Sequence, residues 1–375
     1  MAVANSAGRG ARSTETFAAR PTADDFDESD IAMVRYVSAD SETISNAVRW
    51  ACAAPSVHNV QPWAWRLRRG ELELRVDRLR SIPVEDPAGR QLIISCGAAL
   101  HHLRVTLEHN LIEPIVATFP DRGQPDLLAV ITFRGRARAM SADAGLFASL
   151  ERRRSDRRPF DAPPVGSLVG LARHASVFGA SAISLSPQFG DMLARAATVA
   201  AEEHQSDPAY WDELESWIRS APTADGVPRS ALPDALSIHE SASARAFPSG
   251  QLRIGHGVRD DAALILLSTV TDTPIDWLNV GQAMSSLLLH ATASHLATCP
   301  LTHLTEVESS REIVRDVASR SGETLQNPQV MIRVGLEREP SDAVIDAAGS
   351  ETRIEEHRPR GTGRRPLEEV LTVSS

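Results

Sequence analysis

The sequence predicts an α+β fold in which mixed or antiparallel sheets are flanked by helices. The chain has 375 residues, of which 42% are hydrophobic, and this length suits one large domain or two ordinary ones. Segments of helical and strand periodicity alternate, and the first part reads helix, hairpin, helix and two strands. The second part has a similar order of helix, strand, helix and strand. Because the order recurs, we expect a duplicated domain divided near residue 145.

Periodicity and turn residues place each element of the first half. The first helix can be capped by Asp40 or Ser41, and its apolar residues lie on one face from Ile44 to Ala51. Two strands in which apolar and polar residues alternate then form a hairpin, with Gly70 at its turn. The predicted elements are a helix over 41–53, strands over 63–69 and 71–77, a turn over 86–89, a helix over 91–110, and strands over 115–119 and 127–133.

The second half contains a strongly apolar helix and a long polar one. Trp211 and Trp217 fall within the polar helix. The predicted elements are a helix over 141–154, a strand ending at 184–187, the polar helix over 189–219, a strand over 263–270, the apolar helix over 276–297, a helix over 310–319, and a strand over 329–335.

Two segments lack such periodicity. Residues 1–38 are small, polar and acidic, which predicts a disordered tail. Residues 220–261 are rich in Pro, Ser, Gly and Ala, and an aperiodic stretch of this length predicts either a lid or a disordered insert. The expected organisation is therefore a tail over 1–38, one half over 39–145, and a second half over 146–375 that includes the lid or insert.

Composition excludes several classes of protein. The net charge of −10 argues against general nucleic-acid binding. All 39 basic residues are arginine, so lysine Schiff bases, pyridoxal phosphate chemistry and a P-loop are excluded. Any anion site must use arginine or backbone N–H groups.

The cellular setting is predicted from what the sequence lacks. No apolar run approaches the ~20 residues of a membrane span, and no secretory signal is recognisable. Cys52, Cys96 and Cys299 are too far apart for a metal motif. We therefore expect a cytoplasmic protein with reduced cysteines, no metal site and no membrane partner.

The richest polar stretch is Ala54-Pro-Ser-Val-His-Asn-Val-Gln-Pro-Trp-Ala-Trp65, between the first helix and the hairpin. Its donors and acceptors suit the edge of a heterocycle such as an isoalloxazine. A well-capped structural turn remains an equal alternative, and the two tryptophans either stack on a ligand or belong to the core. The candidate binding residues are Ser56, His58, Asn59, Gln61, Pro62, Trp63 and Trp65.

A second stretch, residues 151–160, combines five arginines with Ser155. Bidentate guanidinium contacts and a hydroxyl suit a phosphate, although a solvated helix end is the commoner meaning of an arginine run. Two weaker candidates are the segment 299–306, whose backbone N–H groups could face a ligand, and a pair of arginines near the C-terminus. The candidate residues of these three segments are Arg153, Arg154, Ser155, Arg157, Leu301, Thr302, Arg364 and Arg365.

These motifs resemble those of the nitroreductase-fold flavoproteins. Residues 55–63 resemble their Pro-Ser-x-x-Asn-x-Gln-Pro-Trp loop, and residues 153–157 resemble their Arg-x-Ser-x-Arg/Lys segment. The nearest resemblance is to the divergent actinobacterial Acg branch, over roughly residues 35–370. In the family, each FMN lies between two subunits of a homodimer, and one subunit supplies the arginines while the other supplies the loop.

The resemblance implies two nitroreductase-like halves fused into a pseudo-dimer with one FMN. Here each motif occurs once, in opposite halves: the loop lies in the first half and the arginine segment opens the second. The loop residues would then hold the ring and the ribityl chain. Arg153, Arg154, Ser155 and Arg157 would hold the phosphate with help from Arg364 or Arg365, and backbone around Leu301 and Thr302 would face the flavin N5.

Three functions remain open at this stage. The first is an FMN-dependent reductase of nitroaromatic or quinone-like acceptors with NADH or NADPH as reductant, in which the cofactor does the chemistry and no side chain is named as catalytic. The second is an FMN-sequestering protein whose lid, residues 220–261, blocks turnover. The third is a structural protein without flavin. In the first two, the chain would be a monomer that contains its own pseudo-dimer.

Overall fold

A computed structural model of the protein describes residues 39–135, 144–220, 223–234, 245, 247, 249–252, 254, 258–324, 327–338, 344–345, 351–352 and 361–374. The predicted tail over 1–38 lies outside these residues. The helices are α1 (Ser41–Ala51), α2 (Arg90–His109), α3 (Ala144–Arg152), α4 (Ser167–Ser176), α5 (Gly190–Gln205), α6 (Pro208–Ser216), α7 (Pro274–Ala293), α8 (Glu308–Arg320) and the one-turn α9 (Leu367–Val370). The strands are β1 (Trp63–Arg68), β2 (Glu71–Val76), β3 (Ile112–Thr118), β4 (Leu127–Gly135), β5 (Phe160–Asp161), β6 (Ser181–Leu185), β7 (Ile218–Arg219), β8 (Val227–Pro228), β9 (Ala263–Thr269), β10 (Ala297–Leu301), β11 (Asn327–Glu337), β12 (Val344–Ile345), β13 (Glu351–Thr352) and β14 (Leu371–Ser374).

The α+β prediction is confirmed, and the two main sheets share one strand order. The first sheet runs β14-β1-β2-β4-β3, and the second runs β10-β11-β9-β6. Read from its other edge, the second sheet is β6-β9-β11-β10. If its strands are numbered one to four along the chain, their order in the sheet is 1-2-4-3, which is also the order of β1 to β4 in the first sheet. The neighbours within each of these sets of four are antiparallel. In each set, a long helix (α2 or α7) joins the second strand to the third.

Helices α2 and α7 cross at two glycines in the centre of the protein. Each helix has 20 residues, and Gly97 and Gly281 are both the eighth residue of their helix. A Cβ atom on Gly97 would lie 2.1 Å from the carbonyl oxygen of Leu278, and one on Gly281 would lie 2.0 Å from that of Ile94. The two backbones are therefore in direct contact, which only glycine permits.

Burial explains why α2 and α7 show so little amphipathic pattern. Both are buried around almost their whole circumference, since each packs on the other as well as on a sheet. By contrast, α1 buries only one stripe, from Ile44 to Ala51, as the sequence predicted. Its N-terminus is capped by the Asp40 carboxylate, which accepts the Thr43 N–H at 2.7 Å.

Two predicted helices had wrong bounds, and one helix was not predicted. The polar helix over 189–219 is two helices, because Pro208 cannot continue α5 and instead begins α6, where the Asp207 side chain accepts the Ala209 N–H. The apolar helix begins at Pro274, after a capping box formed by Thr273 and Asp276, and ends at Ala293. Residue 297, which was predicted to end this helix, instead begins β10. Helix α4 was missed altogether.

The C-terminal segment returns to the first sheet. Strand β14 pairs in parallel with β1, with Trp65 opposite Leu371. This return carries residues 361–366 past the loop that precedes β1. Within the described part of the chain, no helix is long and apolar enough to cross a membrane.

Candidate functional site

The loop between α1 and β1 has an unusual backbone. His58, Asn59 and Gln61 have φ angles of 43°, 56° and 52°, a left-handed region that costs a non-glycine residue of order 1 kcal/mol or more. Hydrogen bonds hold this shape: the Ser56 Oγ accepts the Gln61 N–H at 3.0 Å, and the Ser95 Oγ of α2 accepts the Val57 N–H at 3.2 Å. Such strain persists only where the surroundings fix it, and it is common at ligand sites.

Two side chains of this loop bind distant segments. The Asn59 amide donates to the carbonyl oxygens of Gly226 and Gly363, at 3.0 and 3.2 Å. The Gln61 amide donates to the Ala224 carbonyl at 2.7 Å, and its oxygen accepts the Arg365 N–H at 2.9 Å. The loop therefore fixes the start of the segment 220–261 and the C-terminal return in one place.

Two adjoining cavities, of about 300 and 140 Å³, lie against this loop. The larger lies between α1, α3 and the C-terminal return, and the smaller lies between α2, α7 and β10. The residues that line both cavities are Pro55, Ser56, His58, Ser155 and Arg157. The two cavities are therefore immediate neighbours that share these walls.

The larger cavity is lined by four arginines and by the Asn59 side chain. The arginines are Arg153, Arg154, Arg157 and Arg364. Arg364 donates to Asn59 Oδ1 at 3.1 Å and to the carbonyl oxygen of Ala53 at 3.0 Å. Arg153 donates to the same Ala53 oxygen at 3.4 Å.

Arg153 is a buried cation, and Arg364 is a partly buried cation beside it. Among the described residues neither has a carboxylate partner, and Nε and NH1 of Arg153 and Nε of Arg364 are buried without a hydrogen bond. Burial, reinforced by the charge of Arg364, lowers the pKa of Arg153 to about 9. Burial also lowers the pKa of Arg364 to about 10. Both remain charged at neutral pH, so this compartment is suited to an anion such as a phosphate.

The smaller cavity combines apolar walls with groups from four parts of the chain. Leu301 and Thr302 lie at the end of β10, and Met284 comes from α7. A third contribution comes from α2, through Gln91, Ile94 and Ser95. The described residues of segment 220–261 that line this cavity are Pro233, Arg245, Phe247, Ile254, Val258 and Asp260. The lining therefore mixes apolar side chains with polar and charged ones, among them Arg157, Arg245 and Arg333. Such a lining can hold both the ring and the polar edge of a flat heterocycle.

A buried charged cluster, not predicted from the sequence, lies beside the smaller cavity. Arg245 NH2 pairs with Glu85 at 2.8 Å, its NH1 pairs with Glu306 at 3.2 Å, and it also donates to the Tyr210 hydroxyl. Glu85 in turn pairs with His58 Nε2 at 2.8 Å. The cluster thus joins the loop, the segment 220–261 and the region between β10 and α8.

The two glutamates of this cluster titrate in opposite directions. Burial disfavours both carboxylates, but Arg245 and His58 outweigh it at Glu85, whose pKa lies well below its usual value. At Glu306, burial dominates over Arg245 and the charge of Glu85 adds to it, so the pKa rises to about 8. Glu306 therefore carries a proton at neutral pH.

This raised pKa predicts a pH dependence of stability. Glu306 binds its proton more tightly in the folded protein than in the unfolded chain, so its contribution to the free energy of unfolding is lost as pH rises from about 4.5 to about 8. We expect the stability of Glu306→Gln relative to wild type to increase between pH 5 and pH 8.5, measured by urea unfolding. The exposed Glu308 of α8 provides the control substitution to Gln. A constant difference across this range would contradict the prediction.

The structure brings most of the sequence-predicted residues to this site. Those that line one or both cavities are Ser56, His58, Asn59, Arg153, Arg154, Ser155, Arg157, Leu301, Thr302 and Arg364. Leu301 lies in a strand rather than a loop. The neighbouring cluster was missed because Arg245 lies in an aperiodic segment and Glu85 in a turn, where nothing local distinguishes them from surface charges.

Five predicted residues line neither cavity. Trp63 and Trp65 are 0% and 1% exposed and pack in the hydrophobic core. Of the two alternatives left open for these tryptophans, their burial agrees with the core and leaves their rings no free surface for a ligand. Gln61 is also fully buried, and it joins chain segments instead. Pro62 immediately precedes β1. Arg365 forms ion pairs with Asp77 and Glu369.

Comparisons with known proteins place this fold and site in a family. The chain is 36% identical over 338 residues to "Uncharacterized protein Rv3127" of Mycobacterium tuberculosis, covering 88% of this chain and 93% of that protein. It is 32% identical over 346 residues to "Putative NAD(P)H nitroreductase acg" of the same organism, covering 89% and 96%. This chain therefore belongs to the nitroreductase family, in the actinobacterial branch that contains Acg.

Solved structures that align with this chain are more distant in sequence. A nitroreductase from Anabaena variabilis aligns over 79% of this chain and 73% of its own, with a TM-score of 0.38 and 12% identity. The FMN-dependent nitroreductase NfnB from Mycobacterium smegmatis, solved with NADPH, aligns over 62% of this chain and 98% of its own, with a TM-score of 0.37 and 16% identity. No family model matches the chain.

Proposed function

We propose that this protein binds one FMN across the two adjoining cavities and uses it to reduce nitroaromatic or quinone-like acceptors, with NADH or NADPH as the reductant. The observation that carries the proposal is the pair of guanidinium groups of Arg153 and Arg364, which have buried N–H groups and no carboxylate partner among the described residues. They lie beside a second cavity with both apolar and polar walls. The relatives named as NAD(P)H nitroreductases support the same activity.

The residues present fit the two ends of FMN. Arg153, Arg154 and Arg364 would hold the phosphate in the larger cavity. Buried N–H groups of Arg153 and Arg364 have no acceptor among the described residues, and the phosphate oxygens would accept their hydrogen bonds. Ser56, Ser155 and Arg157 would contact the molecule where the compartments meet. The isoalloxazine would lie in the smaller cavity against Met284, Phe247 and Leu301. Once bound, the flavin supplies the hydride transfer, while the protein binds, orients and excludes water.

The same proposal includes the fused pseudo-dimer. The repeated antiparallel strand order and the crossing of α2 and α7 at equivalent glycines support two nitroreductase-like halves divided near residue 145. His101 and Ser285, each the twelfth residue of its helix, also meet at 2.9 Å across this axis. The second half has only residues 177–180 between α4 and β6, where the first half has its binding loop. This supports one FMN per chain.

We further propose that the protein acts as a monomer in the cytoplasm. The interface that a nitroreductase homodimer forms between subunits would here lie within one chain. Its cysteines, Cys52, Cys96 and Cys299, are all unpaired and buried, which suits a reducing compartment. Sedimentation of the purified chain tests the mass, and a dimer would contradict the monomer proposal.

The first experiment is a spectrum of the purified protein, followed by titration with FMN and anaerobic addition of NADPH. We expect a flavin spectrum with one FMN per chain, and bleaching by NADPH or NADH. Two FMN per chain would contradict the single site. No binding of FMN would overturn the proposed function as a whole.

A second candidate function is sequestration of FMN, and one observation favours it. Residues of the segment 220–261 cover the smaller cavity, and Arg245 fixes this segment to Glu85 and Glu306. We propose that the segment is a lid, which a nicotinamide would have to displace. A flavin that dithionite reduces but NADPH does not would support sequestration over the reductase.

Arg245→Met tests the lid directly. The substitution removes the ion pair with Glu85 and the hydrogen bond to Glu306 that fix Arg245. A loss of ~1.4 kcal/mol from the closed state raises the open population tenfold. We therefore expect NADPH to reduce the bound flavin at least about tenfold faster, measured by anaerobic stopped-flow. Arg259→Met, at an exposed position of the same segment, is the matched control. Equal rates in both variants and wild type would contradict a lid held by Arg245.

A further inference from the structure

The hydroxyl of Thr302 connects the smaller cavity to a buried acid. Thr302 lines the cavity, and its Oγ1 donates to Oε1 of Glu306 at 2.7 Å. The Glu306 side chain is only 1% exposed, and it does not itself line either cavity. Glu306 is therefore separated from the cavity by a single side chain, Thr302, to which it is hydrogen-bonded.

The groups around Glu306 favour its protonated form. Arg245 is shared between Glu306 and Glu85, so the Glu306 carboxylate is only partly compensated. The other titratable groups of the cluster are His58, which pairs with Glu85, Tyr210, which binds Arg245, and the histidines His204 and His303. Burial lowers the pKa of both histidines, to about 3 for His303. The proton of the cluster therefore resides on Glu306 at neutral pH.

His204 leads from Glu306 towards solvent. Its Nε2 lies 3.8 Å from Glu306 Oε2, and within the described residues each of these two atoms is buried with no hydrogen-bond partner. The His204 side chain, on α5, is 13% exposed. His204, Glu306 and Thr302 thus form a row that runs from the edge of the protein to the cavity.

We propose that this row delivers the proton that completes reduction of an acceptor bound beside the flavin. The proposal rests on the proposed reductase function. Because Thr302 lines the cavity and Glu306 lies directly behind it, a proton can reach the acceptor through these side chains. Thr302 would be the group in contact with the acceptor, and Glu306 and His204 would act through it.

The step balances with the co-reactants that the proposed function supplies. A quinone takes one hydride from the reduced flavin and one proton, and becomes a hydroquinone. For the transfer, the Thr302 hydroxyl turns from Glu306 to the quinone oxygen and gives it its hydrogen, while Thr302 Oγ1 accepts the hydrogen of Glu306. One O–H bond then forms at the quinone oxygen, one breaks at Glu306, and one breaks and one forms at Thr302 Oγ1. The resulting Glu306 carboxylate is stabilised by Arg245 and is reprotonated through His204.

The experiment compares two acceptors of electrons from the same reduced flavin. The full chain is loaded with FMN, reduced with one equivalent of dithionite, and mixed anaerobically with menadione or with ferricyanide. Menadione needs a proton, whereas ferricyanide takes electrons alone. The variants are Glu306→Gln, which keeps the shape of the side chain, and Thr302→Val, which removes the hydroxyl; Glu308→Gln on the exposed face of α8 is the control.

We expect Glu306→Gln and Thr302→Val to slow reoxidation by menadione about 100-fold, the lower end of what a general acid contributes. Reoxidation by ferricyanide and the affinity for FMN should stay unchanged in Glu306→Gln, whose side chain lines neither cavity. In Thr302→Val, the rate with menadione should fall relative to the rate with ferricyanide. In wild type, the menadione rate should fall as pH rises through about 8, and this fall should be absent in Glu306→Gln.

Two outcomes would overturn the proton path. One is a menadione rate that is unchanged in both variants, and the other is an equal slowing with ferricyanide. Because dithionite reduces the flavin, a failure of NADPH to do so would count against the reductase function without affecting this comparison. Failure to bind FMN would overturn both proposals.

Discussion

Arg153→Met is expected to weaken binding of FMN about 10- to 100-fold while changing the affinity for riboflavin little. Arg153 lies in the larger cavity with two guanidinium nitrogens buried and unpartnered. A charge-assisted hydrogen bond contributes about 1.5–3 kcal/mol, and each 1.4 kcal/mol is tenfold in affinity. Riboflavin lacks the phosphate, so its affinity should not change when the Arg153 guanidinium is removed. Titrations monitored by flavin fluorescence measure both affinities.

The same substitution should leave the ligand-free protein as stable as wild type or more stable. Arg153 has no carboxylate partner among the described residues, and the charge of Arg364 repels it. Removing an uncompensated buried charge relieves both burial and repulsion. Weaker FMN binding together with unreduced stability would therefore separate a binding role from a structural one.

Arg152→Met is the matched control, because Arg152 is the preceding residue and is exposed. It should change neither affinity. If Arg153→Met weakened FMN and riboflavin equally, the arginine would act on the ring or on the fold. If it weakened neither, the phosphate would lie elsewhere.

The sequence was informative where a function depends on neighbouring residues. The loop from Ser56 to Asn59 and the segment from Arg153 to Arg157 were both recognisable, because each keeps its donors within a few positions. Their meeting in one site was expected only from the resemblance to a family of dimers. Burial of α1 was readable for a related reason, since a single stripe from Ile44 to Ala51 packs inward.

The sequence was uninformative where contacts cross long distances in the chain. Arg245 meets Glu85 and Glu306 across 160 and 61 positions, and no local pattern marks such a pair. The sequence left Trp63 and Trp65 open between a ligand and the core, because a motif shows residue identity but not burial. The boundary at Pro208 was readable in principle, and it was missed because the polar pattern continued on both sides.

The largest effect on stability is expected at the crossing of α2 and α7. Gly281→Ala would place its Cβ 2.0 Å from the carbonyl oxygen of Ile94 and 2.8 Å from the Cα of Gly97. Both are backbone atoms, so no side chain can rotate away and the helices must separate. Overpacking of this kind costs about 3 kcal/mol in the free energy of unfolding, measured by urea denaturation. Gly170→Ala, where a Cβ would meet nothing within 4 Å, is the control and should be neutral or slightly stabilising.

The double variant Gly97→Ala/Gly281→Ala tests whether the two glycines share one contact. Each Cβ requires the same two backbones to move apart, so the second substitution should cost less than the first and the free energies should not add. Full additivity would mean that the helices accommodate each methyl group independently. The separation should also reach the site, because α2 contributes Ile94 and Ser95 to the smaller cavity and α7 contributes Met284. We therefore expect both single variants to weaken riboflavin and FMN by the same factor, the opposite of the selective loss expected for Arg153→Met.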